Sequence, residues 1–353
     1  MNRRKTKEIK VGEIKIGGKN PIVIQSMTNT KTADVNSTVR QITKLKEVGC
    51  QIVRLAVPDV ASAKAISEIK RLTNIPLVAD IHFDHKLALL AIENGVDKVR
   101  INPGNIGKKE YVTAVVEKAK DGSIPIRIGV NSGSLPQDLS VRDDISTAEK
   151  MVRAALREVE ILEKLDFNDI CISLKSSDVV TTIEAYTKIS EKLDYPLHLG
   201  VTEAGLLQAG TVKSALGIGT LLYKGIGDTI RVSLTSDPIN EVEVAYEILH
   251  SLNLPTNKVK TEVVSCPTCG RCDVDIESLS QKVLERLKDY KSDIKVAVMG
   301  CVVNGPGEAK DADVGIAGGK SKGIVFSKGH ILKTVPTGQL LDELFKEIDK
   351  IER

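Results

Sequence analysis

Eight short runs of Val, Ile and Leu recur along the first two-thirds of the chain, at 22–26, 52–57, 77–80, 99–102, 126–130, 170–174, 197–201 and 229–234. They show little polar alternation, the signature of strands covered on both faces. Helical spacing fills the segments between them, including 39–48, 61–72, 87–94, 145–165, 183–193 and 242–252. Pro58, Pro76, Pro125, Pro196 and Pro238 punctuate the connections, and Gly49 and Gly95 stand where a helix is followed by its C′ glycine. Eight strands alternating with eight helices over about 250 residues is the arithmetic of an α/β fold of the (β/α)8 TIM-barrel type. An open doubly wound sheet is the alternative, but no Gly-rich phosphate turn follows the first strand. Residues 9–18 read as a hairpin covering the N-terminal end of the barrel.

The pattern changes after residue 252. We expect a barrel over 1–252, a linker over 253–260 and a small α+β domain over 261–353. In the last, strands are expected at 262–265, 294–299, 314–317 and 324–326, with helices at 276–288 and 338–351.

Charge and composition exclude several roles. Lys and Arg number 50 against 47 acids, a net charge of +3, so any positive patch is local and a general nucleic-acid binder is excluded. Aromatics are 3% and Trp is absent, which removes stacking platforms for bases. The basic start has no apolar stretch behind it, as a secretory signal would, and no run approaches the roughly 18 apolar residues of a membrane span. The expectation is a soluble, cytoplasmic protein.

In a reducing compartment a tight group of cysteines is metal-binding rather than a disulfide framework. Cys266-Pro267-Thr268-Cys269-Gly270-Arg271-Cys272 is such a group, and Cys301 follows the run at 294–299. Zinc and an iron–sulfur cluster both accept this spacing. The run Gly300-Cys301-Val302-Val303-Asn304-Gly305-Pro306-Gly307-Glu308 favours the cluster, because its small residues admit a bulky group and Glu308 can serve as an exchangeable ligand. Cys50 and Cys171 sit alone in apolar runs and read as core thiols.

A second constellation lies at the C-terminal ends of the strands, where barrel enzymes place their active sites. Candidate substrate-binding residues there are Arg54, Asp80, His82, Arg100, Asn102, Arg127, Asn131, Ser132, Lys175, His198, Thr202, Arg231 and Ser233, with Glu203 as the candidate catalytic acid. An Arg inside an apolar strand is costly to bury unless it meets an anion, and guanidinium forks match phosphate oxygens. The set therefore reads as a phosphate site, although any single Arg can instead be an ion pair. His82 and His85 are weak evidence for a metal. Gly315-Ile316-Ala317-Gly318-Gly319-Lys320-Ser321 resembles a phosphate-binding loop, but its glycine spacing is one residue short and a strand-like run follows, so it reads as a hairpin turn.

Several runs together resemble the 4-hydroxy-3-methylbut-2-enyl diphosphate synthase family, in its two-domain bacterial form. They are Gln25-Ser26-Met27-Thr28, Ile52-Val53-Arg54, Asp80-Ile81-His82-Phe83-Asp84, Arg100-Ile101-Asn102-Pro103-Gly104-Asn105-Ile106-Gly107, and Arg127 through Ser134. His198 through Gly205, Ser265-Cys266-Pro267-Thr268-Cys269 and Gly300 through Glu308 continue the series in order. The resemblance implies a [4Fe–4S] cluster held by Cys266, Cys269, Cys301 and Glu308. It implies that 2-C-methyl-D-erythritol 2,4-cyclodiphosphate, a small cyclic diphosphate, is reductively opened and dehydrated with two electrons from flavodoxin or ferredoxin. It further implies a homodimer in which one subunit's cluster domain covers the barrel of the other. Cys272 departs from the family pattern and is expected to be a bystander. The runner-up reading is a metal-independent barrel synthase acting on a phosphate ester, similar to pterin synthases, with a structural zinc knuckle.

Overall fold

The computed structural model describes residues 3–102, 106, 108–290, 292–303 and 305–351. Pro103, Gly104, Asn105, Gly107 and Asn304, which belong to the runs quoted above, lie outside the described residues. The chain divides into two compact units, Met1–Asn257 and Lys258–Arg353.

The first unit opens with a hairpin, β1 (Ile9–Val11) and β2 (Ile14–Ile16). Eight parallel strands follow: β3 (Val23–Met27), β4 (Ile52–Ala56), β5 (Leu77–Asp80), β6 (Lys98–Ile101), β7 (Ile126–Asn131), β8 (Ile170–Lys175), β9 (His198–Leu199) and β10 (Thr229–Ile230). Each pairs with its neighbour in chain order, β10 returns to β3, and a bridge between Ile172 and Leu197 closes the ring. The barrel helices are α1 (Val35–Glu47), α2 (Val60–Thr73), α3 (His85–Glu93) and α4 (Lys109–Asp121) in the first half. After the short α5 (Gln137–Ser140) come α6 (Thr147–Glu163), α7 (Val179–Ser190), α8 (Leu207–Tyr223) and α9 (Pro238–Ser251).

The strand pleat sorts each strand into two faces. Ile24, Val53, Leu55, Leu77, Val99, Ile101, Ile126, Ile128, Ile172 and Leu174 form one parity, and all lie in the apolar core shared with the helices. The other parity faces the barrel axis. Its lowest layer is apolar: Val23, Ile52, Val78 and Cys171 pack with Ile9, Val11 and Ile16 of the hairpin, which plugs the N-terminal end. Above that layer the interior turns polar, with Gln25, Arg54, Asp80, Arg100, Arg127, Ser173 and His198.

Local chemistry fixes the rim. Asp34, Asp59, Asp84, Asp178 and Asp237 cap α1, α2, α3, α7 and α9 by accepting backbone N–H bonds, each worth about 1 kcal/mol. These caps lie just past the strand ends and so pin the loops that carry the site. Gly49 follows α1 at φ +95°, and a Cβ there would stand 2.7 Å from the Tyr246 hydroxyl, so only glycine fits.

The second unit is a five-stranded sheet in the order β11 (Thr261–Ser265), β12 (Ile294–Met299), β13 (Val314–Ala317), β14 (Lys322–Ser327) and β15 (His330–Pro336). The first three are parallel and the last two antiparallel. On one face α10 (Ile276–Leu287) and α12 (Leu340–Ile351) bury Val283, Leu287, Leu344, Phe345 and Ile348 against Val296, Val298 and Ile316. On the other face Ala309 and Ala312 pack on Ala297, Met299, Ala317 and Phe326. Residues 315–321 do form the hairpin connection between β13 and β14. The strand β15 was not expected from sequence.

Candidate active site

The inward parity of the barrel strands gathers cations. Arg54, Lys98, Arg100, Arg127 and Lys175 come from β4, β6, β7 and β8, and Arg231 follows β10. Their carboxylate partners are few. Asp80 takes Arg100 Nη1 at 3.2 Å and stands 3.8 Å from Arg54 Nε. Glu241, on α9, accepts both Arg231 Nε at 3.2 Å and Nη2 at 3.1 Å, and also the Ser26 hydroxyl at 2.9 Å. Among the described residues, Lys98, Arg127 and Lys175 have no carboxylate partner. Arg127 is 1% exposed with Nε and Nη1 unbonded, and Lys98 is 0% exposed with Nζ unbonded.

The titration shifts follow from that imbalance. Burial alone would raise the Asp80 carboxyl, but Arg54, the His82 hydrogen bond and Arg100 outweigh it and hold it ionised. Burial, then repulsion from Arg100, lowers Arg127 to about 10, and burial, then the neighbouring cations Arg127, Arg54 and Arg231, lowers Lys175 well below an ordinary lysine. The imidazole of His198 is pushed far down by burial and by Lys175, so it is neutral. Lys175 Nζ lies 3.3 Å from His198 Nε2 and His198 Nδ1 lies 3.4 Å from Thr229 Oγ1. A neutral ring donating from Nδ1 to Thr229 leaves Nε2 to accept from the Lys175 ammonium. That bond aims the Lys175 nitrogen, and an anion arriving beside it would favour its charged form.

Two glycines make room for these long side chains. A Cβ on Gly129 would stand 2.3 Å from Arg100 Nε, and one on Gly200 would stand 2.7 Å from Lys175 Nζ. The arginine fork and the lysine thus pass through space that any other residue would fill.

Around this cluster the other expected residues are distributed unevenly. Ser132 donates its hydroxyl to Ser176 Oγ at 3.1 Å, and the Thr202 amide donates to the Ser176 carbonyl at 3.1 Å, so both line the end of β8. Asn102 is buried, whereas Asn131 and Ser233 are half-buried. Glu203 is exposed and sits at φ +52°, a left-handed conformation uncommon for a non-glycine residue and often retained where a side chain must be presented. His82 is exposed, 3.6 Å from Asp80 Oδ2, while His85 stacks on Tyr111 at 3.9 Å between centroids. The two histidines do not converge on one point. Lys98, Gln25, Ser173, Met27 and Glu241 belong to the same interior but were not expected from sequence.

Lys98 gives this interior a measurable pH signature. Its ammonium is lowered from 10.5 to about 8, first by burial and then by Arg127. Its folded value thus lies below its unfolded one, so between these two pH values the unfolded chain binds more protons and stability rises with pH. The gain is on the order of 3 kcal/mol across the window and is lost again as pH falls through 8. Denaturant midpoints taken at pH 8 and pH 10 should therefore rise less in Lys98→Met than in the wild-type chain. Equal slopes in the two would show that Lys98 does not titrate there.

In the second unit, Cys266 leaves the C-terminal end of β11 and Cys301 that of β12, and the pairing of Ser265 with Val298 puts the two ends side by side. The Gly300 amide donates to Cys266 Sγ at 3.2 Å. A Cβ on Gly300 would meet Cys272 Sγ at 2.5 Å and Cys266 Sγ at 3.5 Å, so the bare α-carbon is a seat for sulfur. Cys269 is exposed, and hydrogen bonds from the Arg271 backbone and side chain lower its thiol. The Cys272 thiol donates to the Val274 carbonyl at 3.1 Å. Glu308 ends the one-turn helix α11 (Gly305–Glu308), which lies close against Met299 and Ala317 through Gly305. Among the described residues no three His, Cys, Asp or Glu side chains are arranged to hold one metal ion. What the fold supplies is a set of thiols at the C-terminal ends of β11 and β12, with an amide aimed at the Cys266 sulfur. That chemistry fits an iron–sulfur cluster. Cys50 and Cys171, by contrast, are buried, and burial pushes Cys50 up to about 12.

No helix is long and apolar enough to cross a membrane among the described residues. Comparison with known proteins places the whole chain. The GcpE TIM-barrel domain matches residues 6–246 and the GcpE protein C-terminal domain matches residues 262–350. A protein of Caldanaerobacter subterraneus subsp. tengcongensis named 4-hydroxy-3-methylbut-2-en-1-yl diphosphate synthase (flavodoxin) is 60% identical over 99% of this chain and 98% of its own. The protein of that name from Shouchella clausii is 56% identical over 99% and 95%. Among solved structures, dihydropteroate synthase from Stenotrophomonas maltophilia superposes with a TM-score of 0.53 at 13% identity, over 70% of this chain and 99% of that one. That likeness shows the barrel fold alone. With both domains matched in order and relatives so similar along their full length, the chain is an enzyme that belongs to the GcpE family.

Proposed function

We propose that this enzyme converts 2-C-methyl-D-erythritol 2,4-cyclodiphosphate to 4-hydroxy-3-methylbut-2-en-1-yl diphosphate, taking two electrons from flavodoxin. The observation that carries the reading is the cationic barrel interior, in which Lys98, Arg127 and Lys175 have no carboxylate partner among the described residues. Buried unpaired cations are tolerated where an anion arrives to meet them. A diphosphate carries enough charge and enough acceptor oxygens to do so.

On this reading Arg54, Arg100, Arg127 and Lys175 bind the diphosphate and stabilise it as the group leaving carbon when the ring opens. Arg231 is already neutralised by Glu241, so it contributes N–H direction more than net charge. His198 keeps Lys175 aimed, and Asp80 holds Arg54 and Arg100 in register. Asn102, Asn131, Ser132, Thr202, Ser233 and His82 orient the phosphates and the carbon skeleton. Glu203, presented by its left-handed backbone, protonates the departing hydroxyl so that it leaves as water. A [4Fe–4S] cluster bound by Cys266, Cys269, Cys301 and Glu308 supplies the electron transfer. The functional particle is a homodimer, as the resemblance implies.

Anaerobically purified protein should contain about four irons and four acid-labile sulfides per chain and little zinc. Reduced flavodoxin should then support release of the linear diphosphate, with ferredoxin as the comparison donor. Stoichiometric zinc without sulfide would overturn the redox reading and return the barrel to the phosphate-ester synthase alternative, which the full-length relatives do not favour.

A further inference from the structure

Met27 occupies an unusual place at the end of β3. Its sulfur accepts Arg54 Nε at 3.0 Å and Arg231 Nη1 at 3.5 Å. A thioether is a weak, uncharged acceptor. It therefore holds two guanidinium groups from opposite sides without neutralising either. A leucine would leave those N–H groups bare, and a carboxylate would cancel the charge that Arg54 offers to a phosphate, Arg231 being paired with Glu241 already.

We propose that Met27 is an oxidation site that closes the anion site. The step is a two-electron oxidation by a peroxide. The sulfur lone pair attacks one peroxide oxygen, the O–O bond breaks, and the other oxygen leaves with a proton as water. The thioether becomes a sulfoxide and the peroxide is reduced. The new oxygen is a strong acceptor lying where Arg54 and Arg231 already point, so it takes the N–H groups a phosphate oxygen requires. The chain has four methionines: Met151 and Met299 are buried, Met1 lies outside the described residues, and Met27 is half-buried at the barrel mouth. Thiol-dependent sulfoxide reductases reverse such a change, so the site is switched rather than destroyed.

This inference rests on reading the barrel mouth as a diphosphate site, and the test separates the two. Full-length protein is titrated with inorganic diphosphate before and after hydrogen peroxide, and peptide masses locate the added oxygen. The expected result is one oxygen on the Met27 peptide ahead of the Met151 and Met299 peptides. Diphosphate affinity should fall about tenfold, and a methionine sulfoxide reductase should restore it. Met27→Leu, which nearly conserves volume, should show no change on peroxide treatment whatever its starting affinity. Oxidation of Met27 with unchanged affinity, or an equal loss in Met27→Leu, would overturn the proposal while leaving the diphosphate site intact. Failure of the untreated chain to bind diphosphate at all would remove both.

Discussion

Arg127→Met is expected to be more stable than the wild-type chain and to bind a diphosphate about 30- to 4,000-fold more weakly. The two effects share one cause. The Arg127 guanidinium is 1% exposed, two of its nitrogens are unbonded, and Arg100 repels it, so the empty barrel carries its desolvation cost with little return. A methionine of similar length fills the same space without charge. Replacing a poorly compensated buried ion in this way typically stabilises by about 1–4 kcal/mol. Losing one charged partner of a bound phosphate costs about 2–5 kcal/mol in binding. Arg231→Met supplies the contrast, because it would strand the buried Glu241 carboxylate that now takes two N–H bonds from the arginine. Its expected effect is a loss of about 3–5 kcal/mol in stability. Denaturation midpoints of the two variants, read beside titration with inorganic diphosphate, check both signs. An Arg127→Met chain less stable than wild type would mean that the guanidinium is satisfied inside the protein and is not held ready for a ligand.

The same contrast shows what was legible in the sequence. A parallel strand buried on both faces must be written in Val, Ile and Leu, so β3 to β8 were readable almost to the residue. An Arg interrupting such a run stood out for the same reason, although an ion pair such as Arg231 with Glu241 explains its cost as well as an anion does. Lys98 was open to the same reading, standing two residues before Arg100 on the same face of β6, but it precedes the apolar run at 99–102. Glu241 and Met27 carry no such signal. Glu241 looks like any acid in the first turn of a helix, and only the fold brings it to Arg231. The strands β9 and β10 are two residues each, shorter than the apolar runs at 197–201 and 229–234. Helix α8 was blurred by Val212, Leu216 and Tyr223 on its exposed side, which erase the apolar stripe that marks a helix against a core. Strand β15 is mostly exposed and ends in Pro336, so it carries neither the continuous apolar run nor a clean alternation.

For the cysteine edge, the decisive pair is Glu308→Ala against Cys272→Ala. The proposed ligand set of Cys266, Cys269, Cys301 and Glu308 leaves Cys272 over, and local geometry sets that thiol apart. Cys272 leans on Gly300 next to Cys266, but its S–H is already given to the Val274 carbonyl, so it serves the turn that leads into α10. Glu308 is exposed at the end of α11, a helix seated against Met299 and Ala317 through Gly305. A carboxylate bond to iron is weaker than thiolate, so its loss should release one metal and leave the thiolate-held ones. The Glu308→Ala chain should carry about three irons in place of about four. Its turnover should fall by more than the roughly 10–100-fold that loss of an outer-shell partner costs. The Cys272→Ala chain should keep its iron and its turnover, giving up only a half-buried S–H bond and a few atoms of packing. Iron, sulfide and low-temperature electron paramagnetic resonance on both variants read the outcome directly. A full complement of iron in Glu308→Ala, with iron lost in Cys272→Ala, would move the fourth ligand to Cys272 and leave the carboxylate to act on the substrate instead.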